Sequence, residues 1–159
     1  MNLETLTNLL EQVRLGTLDV TAAQKTLADA IRQAPFEDLG FARVDHHRAI
    51  RQGFPEVIFG QGKTPAQIAK ISARIVEAGH TLLVTRTDET AYAAVRQELD
   101  TAKFYPEARL ITHTTGSEPT GVGTILVVSG GTADHPVAEE AVITATVMGN
   151  CVERLYDVG

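Results

Sequence analysis

Cysteine is almost absent from this chain: one residue, Cys151, among 159, so no disulfide can close within it. The 5 histidines are scattered, and neither CxxC nor HxxxH spacing occurs, which argues against a structural zinc site. Long apolar runs are missing too, none approaching the roughly 18 residues of a membrane span. Positive charge is in deficit. Lys plus Arg number 14 against 20 Asp plus Glu, a formal net charge of −6, opposite to the balance of proteins that neutralise nucleic-acid phosphates. With 13 glycines and 6 prolines the chain is neither collagen-like nor a Pro/Gly-rich disordered segment.

What is present suits a globular domain, or a small domain with an arm. Hydrophobic residues make up 43% and charged residues 21%, with a mean hydropathy of −0.02. The opening MNLETLTNLLEQVRLG has neither the charged region nor the continuous apolar stretch of a signal peptide, so a cytoplasmic location is expected.

Periodicity predicts an α/β chain. Leu3, Leu6, Leu9, Leu10 and Val13 form one helical stripe ending near Gly16. Thr21 to Gln24 has the T-x-x-Q form of a capping box, opening a second helix with Leu27, Ala30 and Ile31 on its stripe and Pro35 as its stop. These short helices make a hairpin arm over residues 1–36, suited to packing or oligomerisation. In the next region, 37–120, residues 41–45 and 56–60 read as strands. Thr64-Pro65-Ala66-Gln67 is a second capping box, opening a helix with Ile68, Ile71, Ile75 and Val76. Residues 81–85 and 108–112 read as strands, with a helix between them opening at Asp88. Strands separated by helices imply a parallel sheet. Residues 121–159 read as one strand–helix–strand unit.

Between the first two strands lie Asp45, His46, His47, Arg48 and Arg51. Arg48, Arg51 and Lys63 are candidates for a cationic cluster that binds phosphate or carboxylate; the alternative is solvated surface charge. Adjacent histidines on a strand face opposite ways, which counts against one metal held by His46 and His47.

The apolar run at residues 123–128 reads as a central strand covered on both faces. It leads into Ser129-Gly130-Gly131-Thr132-Ala133-Asp134, and a helix opens at Asp134 with Pro136 in its first turn. Ligands of open α/β sheets bind at such strand ends, where glycines admit close approach and a helix N-terminus offers N–H groups to an anion. Ser129, Gly130, Gly131, Thr132 and Asp134, with Asp157 after the second strand, are therefore the candidate ligand contacts. Asp134 is suited either to a ribose hydroxyl or to capping the helix, and the bland alternative is a simple turn. The loop lacks a Walker lysine and G-x-G-x-x-G. Cys151, at the start of the next strand, is expected to be buried and inert.

The run VDHHRAIRQGFPEVIFGQGKT, followed by SGGTADHPVAEEAVITATVMGNCVERLYDVG, resembles the LarB family, the pyridinium-3,5-biscarboxylic acid mononucleotide synthases of nickel-pincer cofactor biosynthesis. The second run is also similar to the opening unit of PurE-type aminoimidazole ribonucleotide carboxylases. Gly130 and Asp134 match the PurE pattern G-S-x-S-D, whereas Gly131 and Ala133 replace its serines, which favours the LarB branch. The resemblance implies carboxylation of the pyridinium ring of nicotinic acid adenine dinucleotide by CO2 or bicarbonate, with phosphoanhydride cleavage releasing AMP. It implies no tightly bound cofactor, Mg2+ as a candidate ion, and a homo-oligomer up to the octamer of PurE-like enzymes. The family's ring-adding cysteine matches no position here, Cys151 included. A flavodoxin-like, PurE-like domain cut short, and a chain inactive by itself, are therefore expected. The alternatives are a PurE-like carboxylase and a non-enzymatic nucleotide-binding or oligomerisation module completed by a partner chain.

Overall fold

The computed structural model describes residues 3–32, 36–114 and 121–159. They form two compact units, Met1–Glu56 and Val57–Gly159. The expected boundaries at 36 and 120 both adjoin residues outside the described ones.

In the first unit, helices α1 (Leu3–Arg14) and α2 (Val20–Arg32) form the anticipated hairpin, turning at Gly16 with φ +72°. Leu9 and Ala23 are buried, whereas Leu10 and Ile31 of the expected stripes are exposed. Asp19, rather than the expected Thr21, caps α2. Its Oδ1 accepts the Thr21 N–H at 2.7 Å and its Oδ2 the Ala22 N–H at 3.2 Å. An aspartate placed just ahead of the box offers two oxygens to the first-turn donors, so the helix starts earlier.

Strands β1 (Phe36–Asp38) and β2 (Arg43–Asp45) pair antiparallel around Gly40, whose φ is +83°. The strand expected at 41–45 thus starts at Arg43, because residues 39–42 form the turn: the Leu39 N–H donates to the Ala42 carbonyl at 2.8 Å. His46 and His47 do not lie on a strand. Asp45 Oδ1 accepts the His47 N–H at 3.0 Å and turns the chain into a short helix, α3 (Arg48–Gln52).

The second unit holds a four-stranded sheet of β3 (Ile58–Phe59), β4 (Leu82–Thr85), β5 (Lys103–Tyr105) and β6 (Leu110–His113), in the order β3-β4-β6-β5. Helices α4 (Pro65–Glu77) and α5 (Glu89–Glu98) pack on each other. The α4 capping box forms as read: Thr64 Oγ1 accepts the Gln67 N–H at 3.3 Å, and Gln67 Oε1 accepts the Thr64 N–H at 2.9 Å. Asp88 caps α5 by accepting the Ala91 N–H at 2.9 Å. Ile75, Leu82, Leu83, Val84, Val95, Leu110 and Ile111 make the core.

The α/β class holds, and β3–β4 is parallel. The sheet as a whole is mixed rather than parallel, because β6 runs antiparallel to both β4 and β5. β5 has no counterpart among the expected strands. The crossover through α5 delivers β5 parallel to β4 but one place away. A tight turn at residues 106–109, with Arg109 at φ +55°, then returns β6 into the gap.

Strands β7 (Thr124–Val128) and β8 (Cys151–Leu155) form a separate parallel pair linked by α6 (His135–Val147). The expected burial of β7 on both faces is not met: Ile125, Leu126 and Val128 are 43%, 52% and 51% exposed. Among the described residues β7 pairs with β8 alone, and α6 covers the pair. The rest of the apolar surface stays open.

Gly60 donates its N–H to the Thr85 carbonyl at 2.7 Å, and a Cβ there would stand 2.9 Å from that oxygen and 3.1 Å from the Arg86 carbonyl. Gly60→Ala is expected to cost about 1–3 kcal/mol by overpacking against backbone, and Thr64→Ala about 1 kcal/mol through the lost cap. Ile125→Thr, on the open strand, should change stability by less than about 0.5 kcal/mol. Urea denaturation of the three variants checks this, and a large Ile125→Thr effect would restore a buried β7.

Candidate functional site

Parallel strands end at the same edge, so the segments leaving β7 and β8 emerge side by side. They are joined by backbone: the Ser129 N–H donates to the Leu155 carbonyl at 3.1 Å, and the Val158 N–H to the Ser129 carbonyl at 3.3 Å. Between them opens a cleft of about 310 Å3 lined by Ser129, Gly131, Thr132, His135, Tyr156 and Asp157. Ser129, Gly131, Thr132 and Asp157 were sequence candidates and converge here. Gly130 and Asp134 sit just behind them. Asp134 Oδ2 accepts the Gly131 N–H at 3.3 Å, and Gly159 lies against Gly130. A short 3-10 turn, Thr132–Asp134, precedes α6, so the helix proper begins at His135.

His135 and Tyr156 escaped the sequence reading. Their rings meet edge to face, with centroids 4.9 Å apart and planes at 84°. The Tyr156 hydroxyl donates to Glu139 Oε1 at 2.6 Å, and Arg154 Nε donates to the same oxygen at 3.1 Å. His135 Nε2 lies 3.1 Å from Glu107 Oε2 in the turn before β6. The signal was present as spacing. His135 and Glu139 are four apart on α6 and share a helix face, while Arg154 in β8 and Tyr156 just past its end are two apart and both reach Glu139. Only the packing of α6 on β8 shows that the two faces meet.

The network shifts the titration of Glu139 and Tyr156. Burial pushes the Glu139 carboxyl up, but the Tyr156 hydrogen bond and the Arg154 guanidinium outweigh it and hold the pKa below the ordinary value. Burial, followed by the hydrogen bond to Glu139, raises the Tyr156 phenol. Glu139 therefore stays an acceptor and Tyr156 a donor at neutral pH.

The cationic candidates are divided between the units. Arg48 is exposed at the start of α3, and Arg51 follows in the same helix with its side chain outside the described ones. Lys63, exposed in the second unit, donates its N–H to the Gly60 carbonyl at 3.0 Å in the turn before α4. His46 Nε2 contacts Glu37 Oε2 at 3.1 Å. No group of three or more His, Cys, Asp or Glu side chains placed to hold a metal occurs among the described residues. Cys151 is exposed rather than buried, since β8 is open to solvent along most of its length. It opens β8 at the end away from the cleft. No described helix is long and apolar enough to cross a membrane.

Two titrations follow. The favourable contribution of Glu139 is present above the ordinary carboxylate range and fades as pH falls through its lowered pKa. That of Tyr156 is complete below about pH 10 and is lost as pH rises through its raised value. Alkaline absorbance titration should show one late phenol that Tyr156→Phe removes and Glu139→Gln brings down. An unchanged Tyr156 titration in Glu139→Gln would break the proposed coupling.

The geometry can be set beside known proteins. Residues 36–115 match the LarB/PurE-like N-terminal domain. A curated, uncharacterized protein of Methanocaldococcus jannaschii is 31% identical over 123 residues, covering 74% of this chain and 48% of the relative. The chain thus spans about half the length of that relative. With the domain match spanning half of its residues, the chain belongs to the carboxylase-related LarB/PurE-like family.

Proposed function

We propose that this chain supplies the nucleotide cleft of a LarB-like synthase. In this reading the pyridinium ring of nicotinic acid adenine dinucleotide is carboxylated by CO2 or bicarbonate, the phosphoanhydride is cleaved, and AMP is released. The observation that carries it is the convergence of Ser129, Gly131, Thr132 and Asp157 on one cleft, at the carboxyl ends of a parallel strand pair, in a chain of this family. Asp157 suits a ribose or ring contact because a left-handed backbone (φ +61°) turns the chain at the cleft rim. Bicarbonate or CO2 is the co-substrate, Mg2+ is a candidate companion of the pyrophosphate, and no tightly bound cofactor is called for.

Covalent addition to the ring is not assigned to Cys151. The sequence's one thiol opens β8 at the opposite end of the strand from the cleft. Binding and turnover therefore separate in this chain.

The exposed Ile125, Leu126 and Val128 favour a further feature: the β7–β8 pair is covered in the working assembly, as a homo-oligomer would provide.

Calorimetry with nicotinic acid adenine dinucleotide should show binding that Asp157→Ala weakens by about tenfold, on the order of one good polar contact. Cys151→Ser should leave binding unchanged, and the wild-type chain with bicarbonate should release no AMP. Preferential thermal stabilisation by aminoimidazole ribonucleotide would instead support a PurE-like carboxylase. Absence of binding to both nucleotides would overturn the reading.

A further inference from the structure

Helix α6 begins at the cleft with little apolar anchoring. In its first turn Val137 is 61% exposed, and Ala138 is the one buried side chain of residues 135–138. Apolar residues also lie on more than one side of the helix. Ala138 and Val142 are buried, whereas their immediate neighbours Val137 and Ala141 are exposed. A pattern of that kind sets the rotation of a helix about its axis only weakly.

Polar contacts set it instead. Glu139 accepts from Arg154 and Tyr156 beside β8, whereas the next residue, Glu140, pairs with Arg86 just past β4, Oε2 to Nη2 at 3.3 Å. Successive helical residues point about 100° apart, so the two carboxylates together admit one rotation of α6. One turn earlier, His135 Nε2 donates to Glu107 Oε2 at 3.1 Å. A carboxylate only accepts, so the imidazole supplies the proton in its neutral or its charged form. The partners in the four-stranded sheet are themselves held by backbone. Arg86 and Arg109 have left-handed conformations, φ +53° and +55°, which persist where the surrounding structure imposes them. The Thr87 N–H donates to the Arg109 carbonyl at 3.0 Å, and the Arg109 N–H to the Pro106 carbonyl at 3.2 Å across the turn that carries Glu107. Arg86 and Glu107 therefore leave one stitched edge of the sheet.

Partly exposed ion pairs such as these add little stability, because water screens them and long side chains lose entropy in making them. Their effect is geometric. We infer that the four-stranded sheet is a working part of the cleft: Glu107, acting through His135, and Arg86, acting through Glu140, are positioning residues that set where the His135 and Tyr156 rings stand at its wall. The inference deepens the proposed function and rests on that reading only in taking this cleft as the nucleotide site.

The test uses the 159-residue chain, with the Tyr156 ring resonances followed by NMR. Tyr156 is the reporter because no hydrogen bond joins it to Glu107 or Glu140 among the described residues. Glu107→Ala and Glu140→Gln should each shift its resonances while leaving the urea midpoint unchanged. Glu98→Gln, which removes an exposed carboxylate at the end of α5, should shift nothing. In a His135→Ala background Glu107→Ala should no longer move Tyr156, since its route is gone. Calorimetry with nicotinic acid adenine dinucleotide should show Glu107→Ala binding about threefold more weakly, the order of coupling from a residue outside a site.

Tyr156 resonances that ignore Glu107→Ala and Glu140→Gln overturn the inference. So do shifts that come with a lowered urea midpoint, or that persist undiminished in the His135→Ala background. Ring shifts with unchanged affinity, in a chain that binds the dinucleotide, overturn the positioning role as well. If the dinucleotide binds but the rings do not respond, the proposed function stands without the inference. If the rings respond through His135 while the dinucleotide does not bind, the inference holds and the proposed function fails.

Discussion

Parallel pairing of β7 with β8 is the constraint on which the candidate site depends. Two parallel neighbours cannot be joined by a tight turn, so the chain must travel back along the sheet before it re-enters. Here α6 makes that journey. Its start lies at the edge where β7 ends, and its packing on β8 brings Glu139 under the Tyr156 hydroxyl and Arg154 onto the same carboxylate. One topological requirement thus delivers the loop after β7, the first turns of α6 and the exit of β8 to a single place. The cleft results from strand direction before it depends on any particular side chain.

Its chemistry follows from how local donors are spent. A strand-to-helix loop rich in glycine and hydroxyl residues is commonly an anion cradle, because its N–H groups face outward. In this loop the Asp134 carboxylate and the carbonyls of Leu155, Gly131 and Thr132 take such groups, and carboxylates back the surrounding side chains. Beside the loop, the Tyr156 and His135 rings meet edge to face and the Tyr156 hydroxyl donates to Glu139.

Elsewhere the architecture divides its work. The four-stranded sheet buries most of β4 and β6, with Leu82, Val84, Leu110 and Ile111 at or near zero exposure, and provides a rigid centre. The β7–β8 pair leaves apolar side chains open on the same chain. Buried and exposed apolar strands thus stand side by side in one unit.

Local features were legible from the residues alone. The Thr64–Gln67 capping box, the Asp88 cap, the Gly16 turn and the α4 stripe depend on neighbours within a few positions, so spacing suffices to find them. The loop at Ser129, Gly131 and Thr132, and its meeting with Asp157, were also legible, because strand–helix–strand connectivity puts both exits at one edge. Asp19 was missed as a cap because two cap signals compete within three residues and only the backbone path chooses between them. The sense of β6, the insertion of its hairpin and the openness of β7 depend on which strand lies alongside. No window of sequence contains that partner. Tyr156, Glu139 and His135 belong with these: His135 and Glu139 share a face of α6 and Tyr156 follows β8, but they meet only after α6 packs on β8. Tertiary structure alone makes the contact, because the residues joined lie 17 to 21 positions apart and are brought together by packing rather than by periodicity.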